Sequence, residues 1–353
     1  MTIAVLATEK ANADFTNNFA LQCILHHPFP TQHYFICISD KKTSHNLELP
    51  EGADNLHPFF SIEHKQGKHI FFATELRWLI SKKKIDVLIH DGTSFYTGTG
   101  LKQLVVLKNG ETISTKRLQR LEKYADCIVV HDEHTFNNLK KDLPEKKITL
   151  IPFGVSEKAN TVSLVEQTAY KIKRTGGSDY LLFFADGIKQ DELLVFLKAF
   201  SLFKKWNRTA MKLILVVEEK SRRMAETLIG KYLYKGQILF VDSLELETNP
   251  MLFSSAYAAV FYDASNASLE KMMHALHLHV PLLLPSKPSL ESIFTDCATF
   301  YSNQYDQLSE KLTLLYKDET RKNSLVSNGA LKAKDSLWPL VSSSFLRLVL
   351  ATD

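Results

Sequence analysis

The chain has 353 residues, the length of two domains at roughly 150 residues each. Hydrophobic residues make up 45% and charged residues 23%, ordinary globular usage that excludes disordered, collagen-like and disulfide-scaffold classes. Lys and Arg total 43 against 39 Asp and Glu, a net charge of +4, too small a surplus for a dedicated nucleic-acid surface.

Short apolar runs alternate with longer amphipathic segments, the pattern of a parallel sheet covered by helices, so the expected fold class is α/β. In the first half, strands are expected at Ile3 to Leu6, His33 to Ile38, Val87 to Ile89, Gln103 to Leu107, Cys127 to Val130 and Thr149 to Ile151. Helices are expected at Phe15 to Leu25, Lys68 to Lys82, Thr115 to Tyr124 and Glu133 to Asp142. From Ser156 to Asp179 the periodicity fades and RTGGSD supplies a stop, which reads as an interdomain linker.

A second α/β series follows. Its expected strands are Tyr180 to Phe184, Lys212 to Val217, Gln237 to Val241, Ala258 to Tyr262 and Pro281 to Leu284. Its expected helices are Gln190 to Trp206, Ser221 to Tyr234, Asn249 to Ser254, Leu269 to Leu278, Tyr305 to Tyr316 and Glu319 to Ala333. No short-period repeat is visible, which sets solenoids and propellers aside.

Cys23, Cys37, Cys127 and Cys297 lie far apart without a CxxC pair, as expected of reduced core thiols. The start reaches polar and acidic residues after a few apolar ones, unlike a signal peptide, and no window approaches the roughly 20 apolar residues of a membrane span. A cytoplasmic location is expected. The run Lys82-Lys83-Lys84 reads first as a helix end complementing the dipole and second as compatible with peripheral membrane contact.

Four segments, in order along most of the chain, resemble the family-4 type of glycosyltransferase. Tyr124 to Val155 is similar to the family's strand, helix, proline, strand and IP-x-GV entry to the linker. Tyr180 to Phe203 is similar to the strand, loop and helix that open its nucleotide-binding domain. Val241 through Ala256, Val280 and Pro281 to Glu291 resembles the final strands and turns. The tail around Trp338 resembles a terminal helix returning to the first domain. The resemblance implies the GT-B architecture of two Rossmann-like domains facing a cleft: residues 1–155, a linker at 156–179, residues 180–335 and a returning helix at 336–353. It implies sugar transfer from a nucleotide-sugar donor to an unknown acceptor. No cofactor or metal is implied, because protein cations and a helix N-terminus hold the leaving diphosphate.

On that reading the donor meets Lys189, Asn266, His274 and Glu291, while His90 and Asp91 at the end of a strand take the catalytic positions. The family's diphosphate-binding Arg and Lys fall on Asp186 and Asp191, a reversal of charge with Lys189 between them. Its two spaced Glu residues fall on Asn266 and His274, or in a shifted register on Asp263 and Glu270. Its glycines are replaced by Ala267 and Leu269, and the opening loop Ala7 to Asp14 contains no glycine. These departures keep open an alternative: a GT-B module with a degenerate site, serving as a sugar-binding or protein-assembly surface.

Other motifs read more simply. His131, Asp132 and His134 have metal-ligand types but open a helix, where Asp132 or Glu133 suits the cap. His274, His277 and His279 fit a packing helix. Arg222 and Arg223 fit a solvated helix start, and the paired Phe residues fit core. No nucleophile elbow or P-loop is present.

Overall fold

The computed structural model describes residues 1–7, 19–26, 33–40, 49, 52–62, 65–156, 162–185, 187–242, 245–246 and 249–351. The loop at 8–14, the expected helix start at 15–18, part of the expected linker at 157–161, and Asp186 lie outside the described residues. The chain divides into two units: Met1–Gly154 with Ser336–Asp353, and Val155–Asp335.

The first unit is built on seven parallel strands: β1 (Thr2–Ala7), β2 (Tyr34–Ser39), β3 (Asp54–Leu56), β4 (Val87–His90), β5 (Lys102–Val106), β6 (Cys127–Val130) and β7 (Lys147–Leu150). They lie in the order β3-β2-β1-β4-β5-β6-β7. Its helices are α1 (Phe19–Leu25), α2 (Lys65–Ala73), α3 (Glu75–Lys83), α4 (Thr115–Tyr124) and α5 (Glu133–Asp142). Burial is nearly continuous along β1, β4 and β6, as covering on both faces demands.

The second unit carries α6 (Leu164–Thr175), β8 (Tyr180–Phe184), α7 (Gln190–Asn207), β9 (Lys212–Val216), α8 (Glu219–Gly230) and β10 (Ile238–Val241). It continues with α9 (Pro250–Ser254), β11 (Ala258–Phe261), α10 (Asn266–His277), β12 (Leu282–Pro285), α11 (Pro288–Phe294), β13 (Ala298–Tyr301), α12 (Tyr305–Lys317) and α13 (Glu319–Asp335). Its six parallel strands run β10-β9-β8-β11-β12-β13. The core under α7 is aromatic, with Phe183 stacked on Phe196 at 3.7 Å between ring centroids.

Three expectations are corrected. The single helix expected over Lys68 to Lys82 is two, broken at Thr74, which has φ −126° and turns its hydroxyl back onto the Ile70 carbonyl at 2.8 Å. The expected linker contains α6. Ser163 and Glu166 form a reciprocal capping box at its start, and Gly176, at φ +66°, closes it. The strand expected at Thr149 to Ile151 is β7, which begins two residues earlier.

The last helix, α14 (Trp338–Leu350), belongs to the first unit and packs on α1. Phe19 meets Phe345 edge-on at 5.3 Å and Trp338 at 5.8 Å, and Trp338 is fully buried. Gly154 makes that seat possible, since a Cβ there would stand 2.2 Å from Trp338 Cδ2. Gly154→Ala is therefore expected to lower the stability of the first unit by about 1–3 kcal/mol through overpacking. Denaturant titration followed by Trp fluorescence reads the shift, and an unchanged midpoint contradicts this packing.

Candidate functional site

In each sheet the chain builds outward from one strand, then returns to its other side. The reversals fall at β1/β4 and at β8/β11, the places where parallel sheets open a crevice at the carboxyl ends of their strands. Both candidate regions lie on these edges, one in each unit.

In the first unit β4 delivers His90 and the loop Asp91-Gly92-Thr93. Lys68 of α2, itself buried, donates to Asp91 Oδ1 at 2.9 Å and Oδ2 at 3.0 Å, and also to the Thr93 hydroxyl. Thr93 N–H donates to Asp91 Oδ1 at 3.0 Å. Arg117 of α4 donates to the Gly92 carbonyl at 3.1 Å and pairs with Glu111. Burial alone would raise the Asp91 carboxyl. The Lys68 charge, with the bonds from Lys68 and Thr93, outweighs it and holds Asp91 well below the usual carboxylate range. Burial pushes the Lys68 ammonium down, with Asp91 opposing.

The His90 ring is turned inward. It is 3% exposed, and Phe72 and Phe95 meet it edge-on with centroids 5.8 and 5.3 Å away. Gly92 N–H donates to its Nδ1 at 3.1 Å, which places the hydrogen of the neutral ring on Nε2. Burial lowers its pKa to about 4. His90 and Asp91 stand at the expected strand end, but as packed and paired supports of the loop. The backbone at Gly92 and the Lys68 ammonium decide this orientation, and neither is apparent from strand position alone.

In the second unit the loop after β8 contains Gly187, at φ +75°, where a Cβ would stand 3.3 Å from the Tyr262 hydroxyl. Lys189 follows, exposed, its backbone N–H donating to Glu192 Oε2 at 3.0 Å. Asp191 and Glu192 thus occupy the first turn of α7, where their charges complement the helix dipole. Asn266 begins α10, capped by Ser265, and Asp263 accepts from Ser265 N–H at 3.3 Å and from the Ser268 hydroxyl. Glu291, in the first turn of α11, accepts from the Ser286 hydroxyl.

Lys189, Asn266 and Glu291 follow the adjacent strands β8, β11 and β12, so all three belong to one carboxyl edge. His274 does not join them. It lies eight residues down α10, about 12 Å along the axis at 1.5 Å per residue, and its ring stacks on Phe253 of α9 at 5.2 Å. Burial lowers its pKa to about 4. The register that places His274 beside Asn266 overlooks the helix start at Asn266. The alternative pair sits nearer the edge, Asp263 in the loop after β11 and Glu270 about 6 Å into α10.

The same edge holds a cavity of about 290 Å³ beside the strand ends. Phe183, Phe196 and Leu308 line it along with Tyr262 and Tyr301, and its polar residues are Glu192, Ser286, Lys287, Ser302 and Asn303. Lys287 and Ser302–Asn303 were not singled out by sequence reasoning. Their only signal was position, immediately after two apolar strand segments.

Among the described residues no group of three or more His, Cys, Asp or Glu side chains is arranged to hold a metal ion, and no helix is long and apolar enough to cross a membrane. In the HDEH motif, buried His131 pairs its Nδ1 with the Ile151 carbonyl at 2.9 Å, and Asp132 caps α5 by accepting from Thr135 N–H at 2.8 Å.

The fold has close counterparts among solved structures. A glycosyltransferase from Rickettsia africae superimposes with a TM-score of 0.77 at 11% identity, covering 100% of this chain and 99% of that one. Sucrose-phosphate synthase from Thermosynechococcus elongatus gives 0.75 at 13%, covering 99% and 98%. Anabaena HepE, in complex with UDP and glucose, gives 0.70 at 9%, covering 99% of both chains. No family model matches the sequence, and no curated protein matches it. The chain has the fold of the GT-B glycosyltransferases, with two Rossmann-like units in one polypeptide.

The buried titratable groups make two outcomes measurable. Asp91→Asn leaves the Lys68 ammonium buried beside a neutral amide and is expected to destabilise the first unit by about 3–5 kcal/mol, measured by urea unfolding. Second, His90, His131 and His274 each have a folded pKa lowered to about 4, below an unfolded value of about 6.5. Between those values the unfolded chain binds more protons, so stability falls as pH drops from about 6.5 toward 4. Two of the three protons belong to the first unit's transition and one to the second's, which His131→Gln and His274→Gln dissect. A flat profile across that window means the rings are not buried neutral. Asp91 acts in a separate window below about pH 4, where protonation removes its contribution.

Proposed function

We propose that the protein transfers a sugar from a nucleotide-linked donor to an acceptor, and that it holds the donor at the carboxyl edge of the second unit. The observation that carries the reading is the 290 Å³ cavity on that edge, with an apolar lining and a cation among its polar groups. Small-ligand sites commonly combine an apolar wall with a few orienting polar groups. The fold shared with glycosyltransferases, one of them holding UDP and glucose, supports the same conclusion.

In this reading Lys189 and Lys287, both exposed at the edge, neutralise the donor diphosphate as the glycosidic bond breaks and negative charge gathers on the leaving group. The N-terminal end of α10 adds its dipole. Asn266 and Glu291 offer an amide and a carboxylate to sugar hydroxyls, and Asp263 and Glu270 add a pair of carboxylates. Asp91 and His90 act on the first unit's loop as positioning residues, through Lys68 and Gly92.

A non-catalytic sugar-binding module is favoured by one observation. Asp191 and Glu192 already complement the dipole of α7, so that helix start presents anions where a diphosphate needs cations.

Calorimetric titration with UDP, GDP and UDP-glucose tests the reading, coupled to an assay of nucleoside diphosphate release. Saturable binding is expected, weakened at least tenfold in Lys189→Ala/Lys287→Ala, together with release of diphosphate from the donor. Binding without release supports the module. Absence of binding to every nucleoside diphosphate tested overturns both the donor site and its assigned cations.

A further inference from the structure

Helix α6 is docked on the second unit by its polar side. The Asn249 side-chain amide donates to the Tyr170 hydroxyl at 3.1 Å, Arg174 pairs with Glu245 at 2.7 Å, and Lys171 pairs with Asp179 at 2.7 Å. The opposite side is apolar and faces water. Leu164, Thr168 and Ile172 recur at four-residue intervals with Val165 and Ala169 beside them, all five exposed, and that spacing makes them one stripe. Leu164 and Val165 are each 79% exposed and Ile172 63%. A helix on a globular surface ordinarily buries its apolar stripe and wets its polar one. In α6 the arrangement is inverted, and among the described residues nothing covers the stripe.

The stripe itself is uncharged, and one of its borders carries a charge of each sign. Glu166 and Lys173, both exposed, stand on that border two turns apart, the acid near the helix start and the base near its end. The cap fixes the acid in place, since Glu166 Oε2 accepts from the Ser163 N–H at 3.0 Å and from its hydroxyl at 2.6 Å. Such a border is complementary to its own reverse, and a two-fold axis across the helix generates that reverse. With the axis between Thr168 and Ala169, Val165 meets the partner's Ile172, and Glu166 lies opposite the partner's Lys173. The small side chains of Thr168 and Ala169 fall at the crossing, where they let the two helix axes approach to about 8 Å.

We infer that α6 pairs antiparallel with α6 of a second copy of this chain, burying the stripe in an isologous contact. The order of the charges selects this geometry. A parallel pair would set acid level with acid and base level with base, whereas the antiparallel pair sets each acid against a base. A border holding both signs also gives no net attraction to a surface of uniform charge. The helix is about 18 Å long at 1.5 Å per residue, and one stripe of that length covers less than the roughly 800 Å² per partner of a standard interface. The pair therefore exchanges with monomer, with a dissociation constant on the order of 10 µM. The inference does not depend on the donor site.

Sedimentation velocity of the full chain from about 1 to 300 µM, a range that brackets this constant, tests it. The sedimentation coefficient is expected to rise from monomer to dimer. Val165→Ser/Ile172→Ser is expected to move that rise at least tenfold upward in concentration with an unchanged circular dichroism spectrum, and Lys173→Glu to weaken the pair about fivefold. Under mild oxidation, the Val165→Cys chain mixed with the Ile172→Cys chain is expected to form a mixed disulfide dimer. Neither chain is expected to cross-link with itself, because like positions lie about 10 Å apart along the axis, and Cys23, Cys37, Cys127 and Cys297 are buried. A monomer at every concentration overturns the proposal and leaves the stripe to an unlike partner. A dimer that Val165→Ser/Ile172→Ser does not weaken overturns it by placing the interface elsewhere, and self-cross-linking of either cysteine chain overturns the antiparallel pairing.

Discussion

Parallel strand pairing governs what this chain can present to a ligand. A parallel strand cannot be followed by a tight hairpin, so every connection returns over a face of the sheet and every strand points the same way. Among the described residues, thirteen strands in two sheets therefore bring their carboxyl ends to two edges, one per unit. The reversals at β1/β4 and β8/β11 part neighbouring loops at those edges. Lys189, Asn266, the neighbours Lys287 and Glu291, and Asn303 follow four different strands and share an edge for that reason.

The same constraint made much of the fold legible. Strands buried on both faces are short, nearly continuous apolar runs, and those of β1, β4, β6, β8, β9 and β11 stand out as such. What escaped was marginal or locally encoded. Strand β3 is three half-buried residues, and β13 contains a threonine and two aromatics beside a polar loop. Helix α6 carries Leu164, Val165 and Ile172 at helical spacing, but they are exposed and bury no core face. Its signature lay in Ser163, Glu166 and Gly176, a cap at one end and a left-handed glycine at the other.

The candidate site was legible as a set of positions and not as a set of contacts. Strand ends carry Lys189, Asn266 and Glu291, the positions to which the family resemblance points, onto one edge. They do not predict which way a side chain turns there. His90 turns inward because Gly92 and two phenylalanine rings offer it a better environment than water does, and Asp91 is fixed by an ammonium from a helix 23 residues earlier in sequence. His274 is displaced for a simpler reason. A residue eight positions into a helix recedes from the strand ends by more than two turns, however well its chemistry suits the edge.

Charge at the second edge follows in large part from helix electrostatics. A helix start exposes unsatisfied N–H groups, and those groups can be met by an external anion or by the chain's own carboxylates. At α7 the chain uses its own: Glu192 returns to the Lys189 N–H, and Asp191 stands in the same turn. At α10 it uses Ser265, a neutral cap, with Asp263 held by Ser268 just outside. An anion approaching this edge therefore meets repulsion at the start of α7 and a softer field at α10. On the proposed reading, the exposed ammonium groups of Lys189 and Lys287 supply much of the compensating charge. Both are long, flexible point charges and not planar guanidinium forks, so in the proposed donor site they would offer a diphosphate charge without fixing its orientation. Orientation then falls to the shape of the cavity and to the hydroxyl, amide and carboxylate groups around it.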